Sequence, residues 1–120
     1  MKDGTLHECE FVFMRIVWEN EPVSSRTLAD KAEAVLGWKR TTSYTVLKKL
    51  CDGGYLENKD TVVTARIRRE DALRLDYARR ISPMYDGDIS LLLDVALTGV
   101  SLSDKDARAL KRVIDKHRAK

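Results

Sequence analysis

Apolar residues recur at helical spacing in three segments of the first half of the chain, give way to two short strand-like runs, and then return to helical spacing. Over residues 8–20, Phe11, Phe13, Met14, Val17 and Trp18 cover most of a helical circumference. Glu8, Arg15 and Glu19 share the remaining face at i, i+7 and i+11, so the pattern predicts a helix buried on most sides. Pro22 ends it, and Ser24 or Ser25 offers an N-cap for a second helix. That helix is expected to bury Leu28, Ala32, Val35 and Leu36 and to stop at Gly37. A third helix is expected from Thr41, read as its N-cap, to Gly53 and Gly54. Ser43, Leu47, Leu50 and Gly54 fall on its inner face with Val46 beside them, and Tyr44 lies at the edge. The outer face carries Thr41, Thr42, Thr45, Lys48, Lys49 and Asp52.

Tyr55-Leu56-Glu57 and the run from Val62 to Arg68 then read as strands, with Asn58-Lys59-Asp60-Thr61 as the turn between them. Three helices followed by a hairpin is the order of a winged helix-turn-helix, in which the helix after the turn enters the major groove of DNA. Further on, Leu73, Tyr77 and Ile81 stand at i, i+4 and i+8 in a helix from Glu70, and Pro83 interrupts that pattern. Residues 88–98 carry Ile89, Leu92, Leu93, Ala96 and Leu97 as a broad apolar face closed by Gly99. Ser103-x-x-Asp106 has the form of a capping box for a last helix, with Ala107, Leu110, Val113 and Ile114 inward and an end near His117.

The expected fold class is therefore mainly α with a small β-hairpin. A winged helix-turn-helix spans residues 1–69, and a helical dimerisation region spans residues 70–120. The Ile89–Leu97 face is wider than one neighbour covers, so packing against the same element of a second copy is the economical solution. Met84 and Tyr85 join the apolar positions assigned to that homodimer interface. Folding back onto the chain's own winged helix is the alternative.

Composition is compatible with this picture. Of 120 residues, 43% are hydrophobic and 34% charged, which suits a compact domain and not a disordered chain. No apolar run approaches the ~18 residues of a membrane span. Met1 to Glu10 lacks the basic start and apolar stretch of a signal peptide, so a cytoplasmic location is expected.

Charge changes the picture more by its placement than by its sum, which is only +3. Between Trp38 and Leu50 stand Lys39, Arg40, Lys48 and Lys49, and no acid. A cationic stripe of this kind is the footprint of a phosphate backbone, whereas a merely solvated helix face usually mixes both signs. With Thr41, Thr42, Tyr44 and Thr45 on the same helix and Lys59 in the hairpin, these residues are the candidate contacts to double-stranded DNA.

Catalytic and metal chemistry find little support. Cys9 and Cys51 are not in a ligand spacing and are expected as small buried hydrophobes. His7-x-Cys9 is a pair of ligands without partners, so neither a metal nor a cofactor is expected. His7 and His117 lie near opposite ends without a nucleophile–base motif, and Gly53-Gly54 lacks the pattern of a phosphate loop, so an enzyme is not expected. The rival from another class is a winged-helix protein-interaction adaptor, since a fold does not settle a function. An adaptor has no need of a cationic, hydroxyl-rich helix. RNA binding would want an aromatic stacking platform, and Tyr44 and Tyr55 do not make one.

Two stretches carry a family likeness: Glu10-x-x-x-Met14-x-Ile16-x-Trp18, and Trp38-x-x-x-Thr42-x-x-Thr45-x-Leu47-x-x-Leu50 followed by Gly54-x-Leu56. With them the chain resembles, from about Leu6 to Ile114, the penicillinase-repressor family of bacterial regulators (the BlaI/MecI/CopY type). The resemblance implies a transcriptional repressor that binds a palindromic operator as a homodimer. It implies Thr42, Thr45, Lys48 and Lys49 on the DNA-facing side, and helices within residues 70–116 at the dimer interface. Asp86-Gly87 and the apolar helix after it look like the family's dimerisation region.

Three departures bear on release from DNA. The cysteine cluster of the copper-responsive branch is missing, so copper sensing is not implied. Val95-Ala96 stands where the β-lactam-responsive branch is cut at an Asn-Phe bond, so that proteolytic route is not expected. The turn at residues 58–61 lacks the glycine and arginine of the family's wing tip. Release then falls to an unidentified inducer or sensor protein, with oxidation of Cys51 as a further alternative.

Overall fold

A computed structural model describes residues 6–119; Lys120 and the first residues of the polar N-terminal stretch lie outside the described residues. The elements are α1 (Glu8–Asn20), β1 (Val23–Ser24), α2 (Ser25–Leu36), α3 (Arg40–Asp52), β2 (Leu56–Lys59), β3 (Val62–Ala65), α4 (Arg69–Asp76), α5 (Ile89–Leu97) and α6 (Asp104–Lys116). This is a winged helix followed by a helical region. The chain forms two compact units, which divide between Met84 and Tyr85. The first unit thus takes in α4 as well as the winged helix expected up to residue 69.

The first unit is built around α1. Phe13, Met14 and Val17 are fully buried, and Leu28 and Ala32 from α2 meet them with Leu47 and Leu50 from α3. Leu56 and Val63 bring the hairpin onto the same core, and Ala72 adds α4. Ser24 caps α2 by accepting the Thr27 N–H, and Gly37 ends it at a φ of 71°, the left-handed conformation that glycine adopts without strain. The inner arc of α2 runs through Ala29, and Val35, expected in the core, is turned out and 58% exposed.

α3 starts earlier than the hydroxyl pattern suggested. Lys39 holds the extended N-cap conformation, and Thr41 already lies inside the helix, its carbonyl accepting the Thr45 hydroxyl at 3.0 Å. Gly54, expected on the inner face, lies beyond the helix end and is exposed.

The hairpin is tighter than the four-residue turn read from composition. Asn58 and Lys59 pair as strand residues with Val63 and Val62, which leaves Asp60 and Thr61 as a two-residue turn. Both have positive φ (52° and 66°), the geometry that matches the twist of the flanking strands. The Thr61 carbonyl accepts the Ser25 N–H at 2.8 Å and so ties the turn to the start of α2.

β3 ends at Ala65, short of the expected Arg68: the Arg66 N–H still donates to the Tyr55 carbonyl at 2.8 Å, and beyond it the chain departs from the hairpin. The Trp18 indole N–H donates to the Ile67 carbonyl at 3.0 Å and draws this stretch toward α1. β1, which no periodicity could reveal in two residues, pairs antiparallel with β3 to give the order β1-β3-β2.

The helix expected from residue 70 to residue 81 is regular only as far as Asp76. Tyr77–Ile81 form a wide π turn, closed by the Ser82 N–H donating to the Tyr77 carbonyl, and a tight 3₁₀ turn follows over Ser82–Tyr85. Pro83 has no N–H to donate and its ring crowds the preceding turn, so the i, i+4, i+8 relation of Leu73, Tyr77 and Ile81 is lost.

The second unit holds α5 and α6. Asp88 caps α5 through the Leu91 N–H at 3.0 Å, and Ser103 caps α6 through the Asp106 N–H at 3.1 Å, one half of the expected box. Ala107 and Leu110 are half-buried, whereas Val113 and Ile114, expected inward, are more than half exposed. Among the described residues, no helix is long and apolar enough to cross a membrane.

Candidate nucleic-acid interface

α3 presents a defined outer face because its inner one is fixed. Ser43, Leu47 and Leu50, spaced i, i+4 and i+7, are buried against the core. Trp38, just before the helix, stacks on Phe13 with ring centroids 5.6 Å apart and holds its entry. Thr41, Thr42, Tyr44, Thr45, Lys48 and Lys49 are consequently exposed on one helix, as the periodicity predicted. Lys39 and Arg40 are exposed at its start, and Lys59 is exposed at the end of β2.

The electrostatics differ from the linear sequence. The window from Trp38 to Leu50 contains no acid, yet folding brings carboxylates to three of its cations. Arg40 pairs with Asp30 of α2 at 3.0 Å, and Lys48 with Asp52, one helical turn on, at 3.3 Å. All four of these side chains are at least half exposed, so each pair is a weak surface contact.

Lys49 pairs with Glu10 of α1 at 2.6 Å, and this pair is different in kind, because the Glu10 side chain is only 7% exposed. Burial pushes the Glu10 carboxyl up. The Lys49 hydrogen bond, the His7 backbone N–H at 3.0 Å and the nearby charges outweigh that effect and hold it below its ordinary value of 4.5. Glu10, Asp30 and Asp52 were not picked out as partners from sequence. Two of them carried a signal: Glu10, an acid set three and four residues before Phe13 and Met14 inside an apolar arc, and Asp52, four residues after Lys48 on the same helix.

A groove of about 350 Å³ runs beside α3, lined by Ser25, Tyr44, Leu47, Lys48, Cys51 and Asn58. Cys51 is half-buried there. Burial and the charges of Asp52 and Glu57 push its thiol up, with only the Asn58 backbone opposing them. Cys9, expected to be buried, is exposed in the first turn of α1, because the arc facing the core passes through Glu10, Phe13 and Met14. No cluster of three or more His, Cys, Asp or Glu side chains suited to a metal occurs among the described residues.

The positions expected at a dimer interface fall in both units. Leu73, Tyr77, Ile81 and Met84 belong to the first, with Leu73 and Met84 46% and 75% exposed. Tyr85, Ile89, Leu92, Leu93, Ala96, Leu97, Leu110, Val113 and Ile114 belong to the second. Leu92, Leu97 and Leu110 are half-buried, and Ile89, Leu93, Ala96, Val113 and Ile114 are exposed.

Comparison with curated proteins gives no match. The penicillinase repressor family, by contrast, matches residues 6–116, from just before α1 to the last residue of α6. With nearly its whole length matched and a winged helix leading into a helical region, the chain belongs to the penicillinase repressor family.

Proposed function

We propose that this protein is a transcriptional repressor that binds a palindromic duplex operator as a homodimer, with α3 of each copy in the major groove. The observation that carries this reading is the outer face of α3, where hydroxyl and cationic side chains stand exposed on a helix anchored by Ser43, Leu47 and Leu50. Family membership supports the repressor role.

In this reading Thr42 and Thr45 meet base edges, Thr42 free to donate or accept and Thr45 as an acceptor while its proton is on the Thr41 carbonyl, and Lys39, Arg40, Lys48 and Lys59 meet phosphates. Tyr44 flanks them, and Thr41 orients Thr45 through its carbonyl. The homodimer is supported by the apolar side chains that α5 leaves in water, Ile89 at 59% and Val95 at 50% exposure among them.

The test is selection of an operator from random duplexes, followed by titration at two salt concentrations. Log affinity should fall linearly with log salt. Thr45→Ala should shift base preference at one operator position by about 1–3 kcal/mol. Failure to bind any duplex at low salt would favour the adaptor instead.

A further inference from the structure

We propose that Asp30 and Asp52 are specificity-determining residues, which keep the repressor off arbitrary DNA by occupying Arg40 and Lys48. The inference rests on the DNA-binding reading and refines it. Its basis is geometric. Two cations of the recognition helix are already held by carboxylates at 3.0 and 3.3 Å, and both pairs are open to solvent. A phosphate contact by either cation is therefore an exchange of one anion for another, not a net gain.

The exchange has different outcomes on different DNA. On an arbitrary duplex the protein is held almost entirely by mobile phosphate contacts. No phosphate is fixed beside Arg40 or Lys48, so the tethered carboxylate keeps the cation. On an operator, base contacts from Thr42 and Thr45 hold α3 in one register. A phosphate then stays beside each cation at high effective concentration, and the exchange goes through. Asp52 adds to this effect by its position, since it follows Thr41, Thr45 and Lys48 along one stripe of α3 at i+11, i+7 and i+4. Lys49 takes no part, because its carboxylate is buried and does not swing away.

Asp30→Asn and Asp52→Asn keep side-chain shape and remove one charge each. Each should raise affinity for a random-sequence duplex about threefold at low salt and steepen its salt slope by about one unit. Operator affinity should rise by less, so that the ratio of operator to random binding falls. Asp104→Asn, an exposed carboxylate of α6, removes the same charge elsewhere and should leave the ratio at its wild-type value. Lys48→Met in the Asp52→Asn background should restore the shallower slope.

Melting curves confirm that each variant folds before titration. Unchanged random-duplex affinity and slope in both Asn variants would overturn the proposal while leaving DNA binding intact. An equal effect from Asp104→Asn would overturn it too, by assigning the change to net charge. Absence of wild-type binding to any duplex would instead remove the reading beneath it.

Discussion

The two units of this chain treat their apolar residues in opposite ways. In the first, Phe13, Met14, Val17, Leu28 and Val63 are wholly out of water, contributed by two helices and a strand that close on one another. In the second, no described residue is buried, although α5 is apolar over most of its surface and α6 carries Leu110, Val113 and Ile114. Burying a side chain of this size stabilises by about 1.5–3 kcal/mol, so the first unit carries its own driving force and the second leaves most of its own unused. The difference separates a module whose apolar side chains are covered within one chain from one whose apolar faces stay in water.

The sharpest way to break this comparison is Leu93→Asp. Leu93 is 36% exposed on α5, and a charge there would be desolvated without a partner between two copies. Light scattering should show a monomer, and operator affinity should fall by about 10²-fold as the linkage between half-sites is lost. The first unit should melt as before. A variant that stays dimeric, or a wild type that is already monomeric, would end the assignment of α5 to the interface.

The same contrast governs what the sequence could reveal. Elements that meet a partner inside the first unit were legible from period and caps: α1 and α2 match to the residue or nearly so, and Ser43, Leu47 and Leu50 lie where the spacing of α3 put them. Errors came where long-range contacts decide. β1 exists because β3 is beside it, the Thr61 carbonyl ties the tight hairpin turn to Ser25, and the chain departs from the hairpin after Arg66, where Trp18 holds Ile67. The cationic stripe is free of acid along the chain but not in space, since Glu10 and Asp30 reach it from other helices. Pro83 marks a break in the sequence, but the π turn it sits behind has no periodic signature.

Glu10 is the one buried carboxylate of the first unit's core, among the described residues. Glu10→Gln keeps the shape and removes the charge that holds Lys49. The expected loss is about 1–2 kcal/mol, in the lower part of the range for a charge-assisted bond because Lys49 remains half in water. The loss should depend on pH in a definite sense. Folding holds the Glu10 carboxyl below its ordinary value, so its contribution is complete above the ordinary carboxylate range and disappears as pH falls through the lower folded value. Urea melts from pH 7 to pH 3 should show the wild-type advantage shrinking in acid. An advantage that stays constant would mean that Glu10 contributes by packing and not by charge.

The smallest expected effect separates the two cysteines and bears on whether a thiol governs release from DNA. Cys9 stands exposed at the start of α1, whereas Cys51 is half-buried in the groove beside α3. Thiolate is the reacting species, and burial together with the charges of Asp52 and Glu57 keeps Cys51 in the thiol form. Limiting iodoacetamide at neutral pH should therefore label Cys9 first, and Cys51 should react at a rate set by opening of the groove. Peptide mapping by mass spectrometry reads both sites in one sample. Since a low-pKa, accessible thiol is what a redox sensor needs, slow labelling of Cys51 would count against oxidation there as the releasing signal. Labelling of Cys51 as fast as Cys9 would reverse that argument, because the groove beside α3 would then hold a reactive sulfur next to Tyr44 and Lys48.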